Sequence, residues 1–136
     1  MTRLLLFSLV LFSSVCVSAQ GLINENAPTM GYIDDRGTVQ SASLQTVGYF
    51  REGGVVTDAA NKVLGSIDPQ GCVRSASREI LGYIQSDGRV QDALFRTIGY
   101  VSSDGRVQNS LLQTMGFVQT SNRNWAAGYF FFFFYF

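Results

Sequence analysis

The sequence predicts an all-β protein built of five 17-residue β-hairpin repeats, antiparallel and arranged radially around a pseudo-fivefold axis. Three observations carry this reading. Glycines recur at Gly31, Gly48, Gly65, Gly82, Gly99 and Gly116, each 17 residues after the last. A second set follows at Gly37, Gly54, Gly71, Gly88 and Gly105, with a valine two places on in every unit, at Val39, Val56, Val73, Val90 and Val107. The segments ending in that second glycine carry turn chemistry, most plainly Asp68-Pro69-Gln70-Gly71. Self-similarity at a fixed period, without insertion or deletion, is the mark of a repeat architecture.

Taken in order, residues 1–19 read as an export signal: Arg3, then an apolar run from Leu4 to Val17 too short to span a bilayer, then Val17-Ser18-Ala19 with cleavage after Ala19. Lipidation at Cys16 is the weaker alternative, because Val15 stands where the processing enzymes want a small residue. Residues 20–30 form a linker. Residues 31–118 hold the five repeats and the start of a sixth unit, and residues 119–136 form a C-terminal segment with an aromatic tail. Within a repeat, Thr97-Ile98-Gly99-Tyr100-Val101 is rich in β-branched and aromatic residues, and Arg89-Val90-Gln91-Asp92-Ala93 supplies a second strand. Asp first, Pro second and Gly fourth is the preference of a type I turn followed by a bulge residue at positive φ. Links such as Leu94-Phe95-Arg96 leave room only for a tight reversal, so ten short strands in up-and-down order are expected. Period-two alternation places Ile98 and Tyr100 on one face, with Thr97, Gly99 and Val101 on the other. The mid-strand glycine marks either a twist or a close approach of another ring or backbone, and its position away from a turn favours the close approach.

Composition narrows the function. Of 136 residues, Lys+Arg 10 balance Asp+Glu 10, and there is no His. Zero net charge argues against nucleic-acid binding, and the missing His removes the commonest general base and metal ligand. Asp68, Asp87 and Asp104 are explained by turns, while Asp58 and Asp92 share a position with Ser41, Ser75 and Asn109. Neither paired carboxylates nor a calcium site follows, and no enzyme activity, catalytic residue, metal or cofactor is expected. Once Cys16 is removed Cys72 stands alone, so no disulfide framework forms, and with no His to activate it Cys72 reads as inert.

Two aromatic sets remain. Tyr32, Tyr49, Tyr83, Tyr100 and Phe117 occupy equivalent positions and read either as packing between hairpins or as a ring that stacks on sugars, with Gln40, Gln91, Gln108 and Arg74 nearby as hydrogen-bonding groups. The C-terminal segment carries Trp125, Tyr129, Phe130, Phe131, Phe132, Phe133, Phe134, Tyr135 and Phe136, and six of the chain's 11 phenylalanines lie in its last seven positions. Burying such a ring is worth about 2 kcal/mol, so water is not its destination. The tail either runs through the ring of hairpins as core, docks on a membrane or a membrane-protein partner, or self-associates.

The pattern Gly-Tyr-Ile-x-x-Asp-Gly-Arg-Val-Gln, the period of 17, the count of five and the ending Asn124-Trp125-Ala126-Ala127 with its phenylalanine run resemble the five-fold β-flower proteins of Bacteroidota, over roughly Gly31 to Phe136. The resemblance implies a petal-like ring of hairpins in an exported bacterial protein, and no activity. Gly53 in place of the turn Asp and Ser66 in place of the tyrosine depart from the pattern. The expectation is therefore a non-enzymatic, exported structural or interaction protein of the bacterial envelope, in the periplasm, at the outer-membrane surface or outside the cell. An accessory role in an outer-membrane assembly, with a protein partner held through the tail, fits this. The alternative is a glycan- or small-ligand-binding module using the tyrosine ring.

Overall fold

A computed structural model describes residues 27–135. The export signal read over residues 1–19, most of the linker and Phe136 lie outside the described residues. Eleven strands form a closed barrel: β1 (Thr29–Ile33), β2 (Thr38–Ser41), β3 (Thr46–Phe50), β4 (Val55–Asp58), β5 (Val63–Ile67), β6 (Cys72–Ser75), β7 (Ile80–Ile84), β8 (Arg89–Asp92), β9 (Thr97–Val101), β10 (Arg106–Asn109) and β11 (Thr114–Gln119). Each strand pairs antiparallel with its sequence neighbour, and the ring closes through β1 and β11, which run parallel. This corrects the expected ten antiparallel strands. The start of the sixth unit supplies the eleventh, and an odd number of alternating strands can close only through one parallel pair.

The turns after β1, β3, β5, β7 and β9 place Gly37, Gly54, Gly71, Gly88 and Gly105 at positive φ. At Gly71 the reason is local. Its amide donates to the Asp68 carbonyl at 2.9 Å, the Asp68 amide donates to the Cys72 carbonyl at 3.0 Å, and a φ of 93° closes the bulge without a side chain to strain it. At the other end of the barrel the turns after β2, β4, β6, β8 and β10 also require a left-handed residue. There it is Leu44, Asn61, Arg78, Phe95 or Leu112, with φ between 65° and 73°.

A second departure lies inside the strands. Pairing skips one residue in every second interface, for example between Val90↔Gly99 and Gln91↔Thr97. This bulge breaks the alternation, and Ile98 packs against the core cluster instead of sharing the outer face with Tyr100. Val39, Val56, Val73, Val90 and Val107 all have zero exposure and line the interior.

The barrel is filled by its own C-terminus. After β11 the chain turns back as α1 (Arg123–Ala127), capped by the Asn122 side chain, which accepts from the amides of Asn124 and Trp125. Arg123 donates to the Ser86 carbonyl in the β7–β8 turn, and Trp125 stacks on Phe50 with centroids 5.5 Å apart. The helix then widens into a π-helical turn (Gly128–Phe133), in which the Phe134 amide reaches the Tyr129 carbonyl five residues back at 3.1 Å. Its rings meet the mid-strand glycines one by one: Phe131 at Gly99, Phe132 at Gly82, Phe133 at Gly65, Phe134 at Gly48 and Tyr129 at Gly31. A Cβ at any of the five would lie within 3.0 Å of the ring opposite. Successive rings thus step from one glycine-bearing strand to the next. An α-helix, advancing about 100° per residue, would overshoot that spacing, and the wider π-turn shortens the step. The sixth glycine, Gly116, faces Met30 and the Pro28 carbonyl instead.

Two glycine substitutions separate the causes. Gly31→Ala meets only the Tyr129 side chain among its nearest atoms, whereas Gly82→Ala also meets the Gln91 carbonyl on the neighbouring strand β8. Each is expected to lower unfolding free energy by about 1–3 kcal/mol in urea titrations. Tyr129→Leu should recover part of the Gly31→Ala loss, and Phe132→Leu should recover little of the Gly82→Ala loss. Phe133→Ala, at 7% exposure, should by itself cost about 3–5 kcal/mol.

Candidate functional site

Six aspartates, Asp34, Asp58, Asp68, Asp87, Asp92 and Asp104, are occupied by the turns, and Asp35 accepts from the Ser121 hydroxyl. Asp34 Oδ1 accepts from the amides of Arg36 and Thr38, both at 2.9 Å, and Asp68 Oδ1 accepts from those of Gln70 and Cys72. At the opposite end Asp58, Asp92 and Asn109 each accept from two amides of the following turn, while Ser41 and Ser75 accept from one. The Arg96 amide is the chief reason that the Asp92 carboxyl is held below its ordinary value. Among the described residues no group of three or more carboxylate or thiol side chains is placed to hold a metal. Cys72 is a free, half-buried thiol paired across the strands with Tyr83.

Gly31, Gly48, Gly82 and Gly99 face the axis, so by alternation Tyr32, Tyr49, Tyr83 and Tyr100 lie on the outer wall, half-buried, with Phe117 in the equivalent place on β11. The four tyrosines form a belt around a convex surface rather than a lining of a cavity, while Phe117 borders the groove along the β1–β11 seam. Tyr83 stacks on Phe95 at 4.6 Å, and the Arg51 guanidinium lies 4.4 Å from the Tyr49 ring centroid. The glutamines beside the belt are engaged as well. Gln91 Nε2 donates to the Phe95 carbonyl at 3.0 Å, Gln108 Nε2 to that of Leu112 at 3.1 Å and Gln40 Nε2 to that of Leu44 at 3.4 Å. Each amide thus caps the left-handed residue of the next turn. Thr57 and Arg74 hold the same position in the other two units.

An open groove of about 750 Å³ follows the parallel seam, lined by Thr29, Ile33, Phe117 and Gln119. Its one carboxylate, Asp104, accepts from the Arg106 amide. A smaller hollow of about 280 Å³ opens beside Trp125, Asn122 and Asn124.

The ends of the barrel differ far more. The exposed large apolar residues are Leu44, Val63, Ile80, Leu94, Phe95, Leu111, Leu112, Met115 and Tyr135. The first eight sit in the turns after β2, β8 and β10 or at the starts of β5, β7 and β11, all at one end. Tyr135 follows the tail after it has crossed the barrel toward that end. The opposite end is polar, with Asp34, Asp35, Glu52, Asp68, Asp87 and Asp104 against Arg36 and Arg51 in its turns. Sequence reasoning singled out the Tyr belt and the tail and missed this polarity. The signal was present in Leu94-Phe95 and Leu111-Leu112, apolar pairs placed where a turn is normally polar.

A model of the 5-fold beta-flower protein family matches residues 19–134. No curated protein and no solved structure matches the chain.

One titration reports on the filled interior. The Tyr129 hydroxyl donates to the Met30 carbonyl at 2.7 Å, and burial, with a smaller contribution from Tyr135, raises its pKa above the usual 10.0. An acid held protonated in the folded state contributes full stability below pH 10 and loses it as pH rises, because the unfolded chain ionises first. Urea titrations should show stability falling above pH 10. Tyr129→Phe should lower neutral-pH stability by about 1–3 kcal/mol and flatten the alkaline decline.

Proposed function

The chain belongs to the 5-fold beta-flower family, and from that premise we propose that it is a non-enzymatic interaction module of the bacterial envelope, exported and processed after Ala19. In this reading five hairpin units of 17 residues, set radially about a pseudo-fivefold axis, form a rigid ring. The ring presents its apolar end to an envelope assembly in which the protein serves as an accessory subunit. The tail supplies the ring's core, and Tyr135 is the part of it that reaches the docking face.

One observation carries the reading: Leu44, Phe95 and Leu112 are bulky, 59–62% exposed, and held at positive φ. A left-handed backbone costs a residue with a Cβ about 1–2 kcal/mol; Phe95 recovers part of that by stacking on Tyr83, whereas at Leu44 and Leu112 little burial offsets it. Folding alone would be better served by Asn, as at Asn61, or by Gly. Apolar residues kept at such cost on a surface mark a contact with something outside the chain. The glycan reading rests on the outer Tyr belt, which has a convex shape and glutamines already bonded to turn carbonyls.

Hydroxyl-radical footprinting of the protein in intact cell envelopes and in purified form tests the proposal. Leu94, Phe95, Leu111 and Leu112 should be protected several-fold in the envelope, while Tyr32 and Tyr49 on the outer wall label equally in both. Equal labelling of the four apolar residues in the two preparations would remove the apolar end as the docking face.

A further inference from the structure

We propose that the apolar end of the barrel pairs with a second copy of this chain, end to end about a two-fold axis. This rests on the reading of that end as the docking face and names its partner.

The rim at this end is balanced in charge. Lys62, Arg78 and Arg96 stand against Asp58, Glu79 and Asp92, with Arg74 set back on the outer wall, so two copies meet with little net repulsion. Arg96 is already paired with Asp92 of its own chain at 2.8 Å. Lys62 and Glu79 are exposed, and among the described residues neither belongs to an ion pair. They hold the same place in adjacent tips, Lys62 between β4 and β5 and Glu79 between β6 and β7.

Symmetry turns that placement into a choice of partner. A face that binds its own copy about a two-fold axis must be self-complementary under that rotation. In a ring of 11 strands each such axis crosses one strand and passes between the two strands opposite. The axis through β11, and between β5 and β6, exchanges the β4–β5 tip with the β6–β7 tip and the β2–β3 tip with the β8–β9 tip. Lys62 then stands opposite Glu79 of the second copy, twice over, and Arg78 opposite the neutral Asn61. Leu44 stands opposite Leu94 and Phe95, all three well exposed. The β10–β11 tip has no twin and falls at the start of the parallel seam, where Met115 is 42% exposed.

Other rotations do worse. The axis through β1 sets Lys62 against Arg96, and the axis through β10 sets Lys62 against its own counterpart. Neither the apolar tips nor the Lys62 and Glu79 pair is needed to close or fill the barrel, yet one rotation satisfies both.

The face is small. Eleven strands about 4.8 Å apart give a rim on the order of 50 Å around, able to bury about 1,000 Å² in total, the size of a weak association. Such a dimer dissociates in dilute purified protein and forms where the envelope concentrates the chain.

The experiment is sedimentation velocity on Gln20–Phe136, the form left by the proposed processing, with the full chain alongside, from about 1 to about 500 μM. The wild type should pass from monomer to dimer and stop there, because a two-fold face closes on itself. Leu44→Asn with Leu94→Ser should weaken the dimer on the order of tenfold, Asn being the residue already held at positive φ at Asn61. Lys62→Glu and Glu79→Lys should each weaken it several-fold. An equimolar mixture of the two should form a heterodimer tighter than either homodimer, because both cross-contacts then join opposite charges. On a Cys72→Ser background, Lys62→Cys mixed with Glu79→Cys should cross-link on mild oxidation, and Lys62→Cys alone should not. All forms should keep the wild-type circular dichroism spectrum. A monomer at every concentration overturns the proposal; if the apolar tips are still protected in envelopes, the docking face stands and its partner is lipid or another protein. A dimer indifferent to the leucine and charge substitutions also overturns it.

Discussion

The structure depends on one contact, repeated five times, between a glycine that faces the barrel axis and an aromatic ring that stands on it. Neither half is tenable alone. A wall with glycines at its mid-strand interior positions leaves that level of its lumen unfilled, and a run of phenylalanines has no stable place in water. Put together, the absent Cβ of Gly65 or Gly82 becomes the space in which Phe133 or Phe132 lies. Much else follows. The chain has to reverse after β11 to re-enter the barrel, so Asn122 starts a helix at the polar mouth. That helix has to distribute consecutive rings around the wall, so it opens into a π-turn. The small residues Ala126, Ala127 and Gly128 come first because they pass the layer of Phe50 and Ile67 before the lumen reaches the glycines.

What could be read in the sequence is what chemistry fixes locally. Asp68-Pro69-Gln70-Gly71 needs no distant partner to define a turn, and the same holds for the repeat of Gly37 to Gly105. The mid-strand glycines could be read as twists or close approaches, the close approach favoured because they lie away from the turns, whereas hydrophobicity alone took the tail out of water and left core, docking and self-association open. The rest is set by closure of the ring, which no short window contains. Thr114–Gln119 carries the same pattern as the strands before it, and only the geometry of closing makes it the parallel partner of β1. The bulge that turns Ile98 inward arises because each hairpin must tilt to close the barrel, so period-two alternation misplaced that residue. The π-turn has no signature in seven nearly identical aromatics.

The two kinds of left-handed residue show the same division from another side. Gly105 and Leu112 have φ values of the same sign. The Gly105 turn packs its bulge residue tightly against the Val118 carbonyl, and nothing larger than hydrogen fits. The turn at Leu112 projects into open space, so a side chain is sterically possible and only backbone energy opposes it. Steric necessity therefore dictates the residue at one end and leaves it free at the other. The free end is where Leu, Asn, Arg, Phe and Leu succeed one another.

That freedom is used unevenly. The three turns capped by Gln40, Gln91 and Gln108 carry Leu44, Phe95 and Leu112, and they are contiguous around the ring because β1 alone separates the β10–β11 turn from the β2–β3 turn. The remaining two, with Asn61-Lys62 and Arg78-Glu79, occupy the other side. The rim at this end is thus divided into an apolar arc and a charged arc. Repetition in the interior builds a rigid ring, and the broken repetition at the rim gives that ring a direction.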